Sequence, residues 1–182
     1  MKNLSKIRAA KIPQQGFTLI ELAIATVVLL VGVVAVMQLV PYASQTNQAN
    51  RIDTTSVVIG QHYLDEMTAQ PLANLTLTDP VCGAMSLGTG AANSSVMYPS
   101  ATYLTMYNGA ATVDFTQAKV AGYNCTYSDP NNPSGGVFQV RWGVVVTENS
   151  AGKIVSKRYV VGVKQTGMQF RLPVDLDATV QR

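Results

Sequence analysis

A long, predominantly apolar run extends from Phe17 to Val40, and its only charged residue is Glu21. The run reaches the roughly 20 residues that a helix needs to span a bilayer. It is rich in valine, which is a middling helix former in water. In lipid, however, every backbone polar group must find its partner within the segment, which favours a helix regardless of propensity. The pattern therefore predicts a transmembrane helix over residues 17–40.

Beyond Pro41 the composition turns polar, but small and apolar residues still recur at spacings of three or four. The recurring positions are Ala49, Ile52, Ser56, Ile59, Tyr63 and Met67. Such spacing draws one stripe down a helix face, so the helix should continue as an amphipathic half over residues 41–70. Proline disfavours helical angles in the residue before it, so the helix should end before Pro71. Pro41 should kink the helix or loosen one of its turns.

From Val137 the period of the pattern changes to two. The apolar members of the alternation are Phe138, Val140, Trp142, Val144 and Val146, and Gln139, Arg141 and Gly143 lie between them. This pattern predicts a strand with one buried face, a turn at residues 150–153, and a returning strand over Ile154–Lys164. The apolar face of this hairpin is the natural partner of the helix stripe. We therefore expect an α+β fold in which the helix lies across an antiparallel sheet.

The rest of the β-rich head, residues 71–182, carries weaker signals. Residues 72–135 are irregular and contain several turn dipeptides. Short strands are predicted around Met97–Met106 and Thr112–Phe115. A short edge strand around Gln169–Leu172, followed by a tail, is the expectation for the last part of the sequence.

The charges are distributed unevenly along the chain. The first 16 residues contain four basic residues and no acid, whereas residues 17–182 contain nine basic and ten acidic residues. The whole chain therefore has a formal net charge of +3, but residues 17–182 have a net charge of −1. A basic flank favours the cytoplasmic side of a membrane, so residues 17–182 should be inserted or exported. No basic surface for nucleic acid is indicated.

Glu21 is the anomaly in the apolar run, because a carboxylate deep in a bilayer costs roughly 2.5–3.5 kcal/mol and normally signals a function. The residues after the run do not fit the small-residue cleavage site of a secretory signal. The small residue that stands out is Gly16, which precedes the run. Cleavage after Gly16 would remove the basic leader and place the new α-amine of Phe17 four residues, or one helical turn, from Glu21.

Residues 15–25 resemble the type IV prepilin family, whose members combine a basic leader, a glycine at the cut site, an aromatic first mature residue and a Thr-Leu-Ile-Glu-Leu segment. The resemblance implies cleavage after Gly16 by a prepilin peptidase, N-methylation of Phe17, and use of Glu21 in subunit assembly. It also implies a pilin-like fold, with the precursor in the bacterial inner membrane, its head in the periplasm, and other pilin subunits and the pilus assembly machinery as partners.

Two further segments resemble minor pilins of the PilV type and the minor pseudopilins of type II secretion. They are Tyr63-Leu64-Asp65-Glu66-Met67 and Val140-x-Trp142-x-Val144. Major pilins of many Gram-negative bacteria place their disulfide near the C-terminus, whereas Cys82 and Cys125 lie in the middle of this chain. The resemblance therefore favours a minor pilin, with a minor pseudopilin as the alternative.

The two cysteines lie on the expected exported side, where an isolated pair most simply forms a disulfide. His62, Asp65 and Glu66 share a helix face that could in principle bind a metal ion, but a solvated face is the better interpretation without a second histidine or a free cysteine. Asp175 and Asp177 alone are weak evidence for calcium. We predict neither a metal nor a cofactor.

No Ser-His-Asp order, phosphate-binding loop or metal-ligand set is present in the sequence, so an enzyme is not predicted. The expected organisation is a leader (1–16), a transmembrane and filament-core helix (17–40), an amphipathic helix half (41–70) and a β-rich head (71–182). A second hypothesis is a periplasmic binding protein or enzyme that uses the helix only as a membrane anchor. That hypothesis predicts an uncleaved leader and tolerance of Glu21→Ala.

Overall fold

In the computed structural model, the described residues are 16–89, 95–107, 109–129, 136–167 and 172–181. The chain divides into two compact units, Met1–Asn47 and Gln48–Arg182. One helix, α1 (Leu19–Ala69), begins in the first unit and ends in the second, and all described strands belong to the second. The α+β layout predicted from the sequence, with a long N-terminal helix and antiparallel sheets, is thereby confirmed.

The described part of α1 from Gln48 onward buries one face, as the stripe in the sequence predicts. Its buried residues are Ile52, Ser56, Ile59, Gly60, Tyr63 and Met67. The helix ends at Ala69, two residues before Pro71. Two turns follow, closed by hydrogen bonds from Gln70 N to Met67 O and from Asn74 N to Pro71 O. Helical structure continues through Pro41, although this residue has no N–H to donate.

The main sheet is antiparallel and is built on the predicted hairpin of β7 (Val137–Glu148) and β8 (Ile154–Gln165). β3 (Ser95–Tyr98) and β6 (Asn124–Ser128) pair with different halves of one edge of β7. β9 (Val174–Gln181) pairs with the outer edge of β8. The alternation of buried Phe138, Val140 and Trp142 in β7 places these side chains on the face that packs toward α1.

Two small hairpins complete the described strands. β1 (Thr76–Asp79) pairs with β2 (Gly83–Ser86), and β4 (Leu104–Tyr107) pairs with β5 (Ala110–Val113). The short strands expected around Met97–Met106 are β3 and β4, which a turn at residues 101–103 separates. The strand expected at Thr112–Phe115 begins earlier and ends at Val113, because Asp114 accepts the N–H of Thr116 and starts a turn.

The expectation that β7 has only one buried face is wrong. Arg141 and Gly143, on the opposite face from Trp142, are buried as well. A Cβ atom added to Gly143 would lie 2.6 Å from Cγ of Leu104 in β4, so this hairpin lies against the back of the sheet. Arg141 is covered by the ring of Phe115, whose centroid is 5.0 Å from the guanidinium carbon, and it donates to the Gln117 carbonyl at 2.8 Å.

β9 was not predicted. The edge strand expected at Gln169–Leu172 lies outside the described residues except for Leu172, which is exposed and not in a strand. The strand that the structure does show, Val174–Gln181, alternates between half-buried and exposed residues near its end. Leu176 is half-buried, and its Cδ1 lies 2.9 Å from a Cβ built on Gly60 of α1. A side chain larger than glycine at position 60 would therefore require the Leu176 side chain to shift.

Candidate functional site

The start of α1 is organised by Thr18. Its hydroxyl oxygen accepts a hydrogen bond from the backbone N–H of Glu21 at 3.3 Å, and its carbonyl accepts from Leu22 N at 3.1 Å. Thr18 is therefore the N-cap of the helix, a position where a hydroxyl satisfies one of the four backbone donors without an intrahelical partner. Sequence reasoning assigned no such role to Thr18, although Thr-x-x-Glu is the sequence signature of a capping box.

Because the helix begins at Leu19, the peptide bond between Gly16 and Phe17 lies outside regular structure. Both residues are exposed, and Phe17 shows 85 % of its surface to solvent. A Cβ added to Gly16 would meet no atom within 4 Å, so no contact with the described residues requires glycine there. The geometry is that of an accessible backbone segment that a peptidase could bind in an extended conformation.

Glu21 lies in the first turn of α1. A carboxylate at a helix N-terminus is favoured by the partial positive charge of the unpaired N–H groups. Glu21 is exposed, and no described cationic side chain forms an ion pair with it. After cleavage, a Phe17 amine at the same helix end would provide a cation close to the position where the carboxylate needs one.

The first unit exposes its apolar side chains. Every described residue from Gly16 to Gln48 is exposed, and α1 is long and apolar enough at this end to cross a membrane. The hydroxyl of Thr26 donates to the carbonyl of Ala23 at 2.8 Å, so this polar group already has a partner inside the helix. The surface of this unit is therefore suited to lipid or to neighbouring apolar helices rather than to water.

In the second unit, the Cys82 and Cys125 sulfur atoms are bonded at 1.97 Å, linking the turn after β1 to β6. The turn is held by Asp79, whose Oδ1 accepts the N–H groups of Val81 and Cys82. Tyr63 of α1 is buried next to this crosslink. Burial, followed by the charge of Asp79, raises the pKa of Tyr63.

The residues considered as metal ligands are grouped differently in the structure than the sequence suggested. His62 and Glu66 lie near Asp79, and Asp65 is not part of that group. Asp175 accepts the N–H of Val113 at 3.1 Å, and burial raises its pKa. Asp177 pairs with the guanidinium of Arg158 at 2.6 Å. Asp175 and Asp177 are thus each engaged by a protein group.

One comparison with known proteins produced a match. The family model described as the prokaryotic N-terminal methylation motif matches residues 12–37. The match includes Gly16, Phe17, Thr18 and Glu21, together with most of the apolar run. No curated protein and no solved structure matched the chain.

Proposed function

We propose that this chain, which belongs to the type IV prepilin and pseudopilin family by the methylation motif at residues 12–37, is a structural subunit of a helical filament. A prepilin peptidase cleaves the precursor after Gly16, and the amine of Phe17 is methylated. The precursor resides in the bacterial inner membrane with its head in the periplasm. Other pilin subunits and the assembly machinery are its partners.

The observation that carries the proposal is an apolar helical surface, fully exposed, that contains one carboxylate. From Gly16 to Asn50 the chain has no charged side chain except Glu21. A helix that served only as an anchor would not need this group, because the roughly 0.3–1 kcal/mol that a carboxylate gains at a helix N-terminus is smaller than the cost of an acidic residue in lipid. In a filament, the Phe17 ammonium of one subunit would lie against Glu21 of its neighbour, and the two charges would neutralise each other.

Among filament subunits, we infer a minor pilin. The support is the likeness of Tyr63–Met67 and Val140–Val144 to minor pilins, and both segments contribute residues to the core of the head. Tyr63, Met67 and Trp142 are buried, and the indole N–H of Trp142 donates to the Ser86 carbonyl at 2.9 Å. The likeness thus concerns residues that determine how the helix packs on the sheet. A minor pseudopilin of type II secretion shares these features and is the alternative.

The test is to determine the mature N-terminus and the location of the protein together. The chain would be produced in cells that contain the prepilin peptidase and a filament assembly system, and both the membrane and the sheared filament fractions would be examined by mass spectrometry. We expect a chain that begins at methylated Phe17 and is present in the filament fraction. An intact leader, with all protein in the membrane, would support the membrane-anchored binding protein instead.

A further inference from the structure

Three side chains with metal-ligating atoms converge beside the disulfide. His62 and Glu66 are one helical turn apart on α1 and therefore lie on the same face. Asp79 comes from the end of β1. One ligand atom from each of the three residues lies within 4.8 Å of the others. Small side-chain rotations would bring them to the roughly 3.3 Å that separates neighbouring ligands in a tetrahedral site with bonds of about 2.0–2.1 Å.

The polar groups of this cluster are incompletely satisfied by the protein. Oε2 of Glu66 is buried, and no donor in the described part of the chain reaches it. Asp79 is only 3 % exposed, and its Oδ1 accepts two backbone N–H groups. The ion pair between Arg158 and Asp177 lies elsewhere. Oε2 of Glu66 and the Asp79 carboxylate are thus withdrawn from water, and no cationic side chain in the described part of the chain pairs with either acid.

We propose that His62, Glu66 and Asp79 bind a divalent transition-metal ion, with zinc as the best fit. An imidazole nitrogen and two carboxylate oxygens are ligands that zinc accepts, whereas calcium prefers a shell of oxygen atoms. The exposed side of the cluster, at His62, leaves the fourth position to water. The ion would place a positive charge beside Glu66 and Asp79 and would be coordinated by a lone pair of Glu66 Oε2, which accepts no hydrogen bond from the described residues.

The position of the cluster indicates what the ion does. Asp79 holds the turn that contains Cys82, and Cys82 is bonded to Cys125 of β6. A metal ion would therefore join α1 to the same turn that the disulfide joins to the sheet. A ligand that binds only the folded state stabilises that state, so the ion should raise the stability of the head.

The experiment uses the full-length, untagged protein in detergent micelles, treated with EDTA and then dialysed. Zinc binding would be measured by isothermal titration calorimetry, and cobalt would be added separately as a spectroscopic probe of coordination. The variants are His62→Gln and Glu66→Gln, and Asp65→Asn is the matched control. Asp65 is an exposed acid of the same helix, so its replacement makes the same charge change without touching the cluster. Thermal unfolding in EDTA establishes that each variant is folded.

We expect one equivalent of zinc to bind the wild type and Asp65→Asn with equal affinity and to raise their unfolding temperatures. His62→Gln and Glu66→Gln should each lose about tenfold or more in affinity, since even changes outside the ligand set cost 10–100-fold. Cobalt should give visible ligand-field bands that disappear in His62→Gln. The proposal is overturned if the wild type shows no saturable zinc binding, or if His62→Gln binds as well as Asp65→Asn. Neither result bears on cleavage at Gly16, so the filament proposal is tested separately.

Discussion

The hydroxyl oxygen of Tyr63 lies 3.0 Å from Sγ of Cys82, so a residue of the long helix contacts the disulfide of the head directly. Tyr63 is fully buried, and its ring also packs edge-on against Tyr127 of β6. Helix, disulfide and sheet thus meet at one point. Loosening the crosslink should therefore disturb the packing of α1 as well as the turn that contains Cys82.

Replacing both Cys82 and Cys125 by serine should lower the free energy of unfolding of the head. The crosslink closes a loop with a sequence separation of 43 residues, for which the chain-entropy relation gives about 4 kcal/mol. Denaturant unfolding of the variant and of reduced wild type should give similar losses. Processing at Gly16 should be unaffected. Two thiols that react in the folded, non-reduced wild type would show that the crosslink is not formed.

Gly16→Leu should block maturation, because the peptidase must bring its catalytic groups close to backbone that a large side chain would cover. Among the residues that the structure describes, none lies close enough to require glycine at this position. The expected product is a single band of precursor size in the membrane fraction, detected by blotting. Gly32→Leu is the control, since Gly32 lies beyond the cut and likewise has no atom within 4 Å of an added Cβ. Mature-sized Gly16→Leu protein in filaments would place the cut elsewhere.

Glu21→Ala should leave cleavage intact but reduce incorporation into filaments. Removing one partner of a buried charge pair costs about 3–5 kcal/mol, which corresponds to roughly a hundredfold or more in an association equilibrium. The measurement is the ratio of mature protein in the sheared and membrane fractions. Thr26→Val is the matched control, because the Thr26 hydroxyl is bonded to its own helix at Ala23. Equal incorporation of both variants would contradict the assembly role of Glu21.

Gly143→Val should destabilise the head by about 1–3 kcal/mol through overpacking. An added Cβ would lie 2.6–2.8 Å from three side-chain atoms of Leu104. Leu104→Ala removes those atoms at its own cost, and the double variant should be more stable than the sum of the two single changes predicts. Thermal unfolding of the four proteins gives the coupling. Strict additivity would mean that β4 does not cover the back of β7 as described.

Asp175→Asn should change how stability depends on pH. Burial raises the pKa of Asp175 in the folded state above its ordinary value of 3.8, so the folded protein holds this proton more tightly than the unfolded chain does. Stability from this group is therefore present at low pH and is lost as the pH rises above 3.8 through the raised pKa. Asparagine keeps an oxygen for the Val113 N–H and removes the titration. The free energy of unfolding, measured with urea at several pH values in this range, should decrease with rising pH. The decrease should be smaller in the variant than in the wild type.

The elements with a sustained period could be predicted from the sequence. The spacing of Ile52, Ile59 and Tyr63 predicted the buried face of α1, and the alternation around Trp142 predicted the strand that faces it. Both signals arise because apolar residues that recur at the period of a helix or a strand all lie on one face of that element. Residues 16–21 stand out in the sequence because a glycine, a single charge and a long apolar run coincide there, and the methylation-motif match covers them. Their roles in cleavage and assembly stay predictions.

The second layer behind the sheet could not be predicted, because its evidence is distributed over short and distant segments. Gly143 and Gly162 are buried there only because Leu104, Val113 and Phe115 approach them from β4, β5 and the turn that follows β5. Lys157 is a similar case. A lysine in a strand suggests solvent, yet this side chain is buried and its ammonium donates to the Asn74 carbonyl at 2.6 Å. Likewise, Asp79 is distant from His62 and Glu66 in the sequence, and only the folded structure brings the three residues together.

The division of the chain at Asn47 separates the part that needs lipid or neighbours from the part that can face water. All buried residues among those described lie at or after Ile52. A chain shortened to begin at Gln48 would therefore keep its whole described core while losing the surface that makes the mature protein dependent on detergent. We expect such a fragment to fold and to remain in solution without detergent. It would allow the head to be crystallised, titrated and unfolded without a membrane mimic.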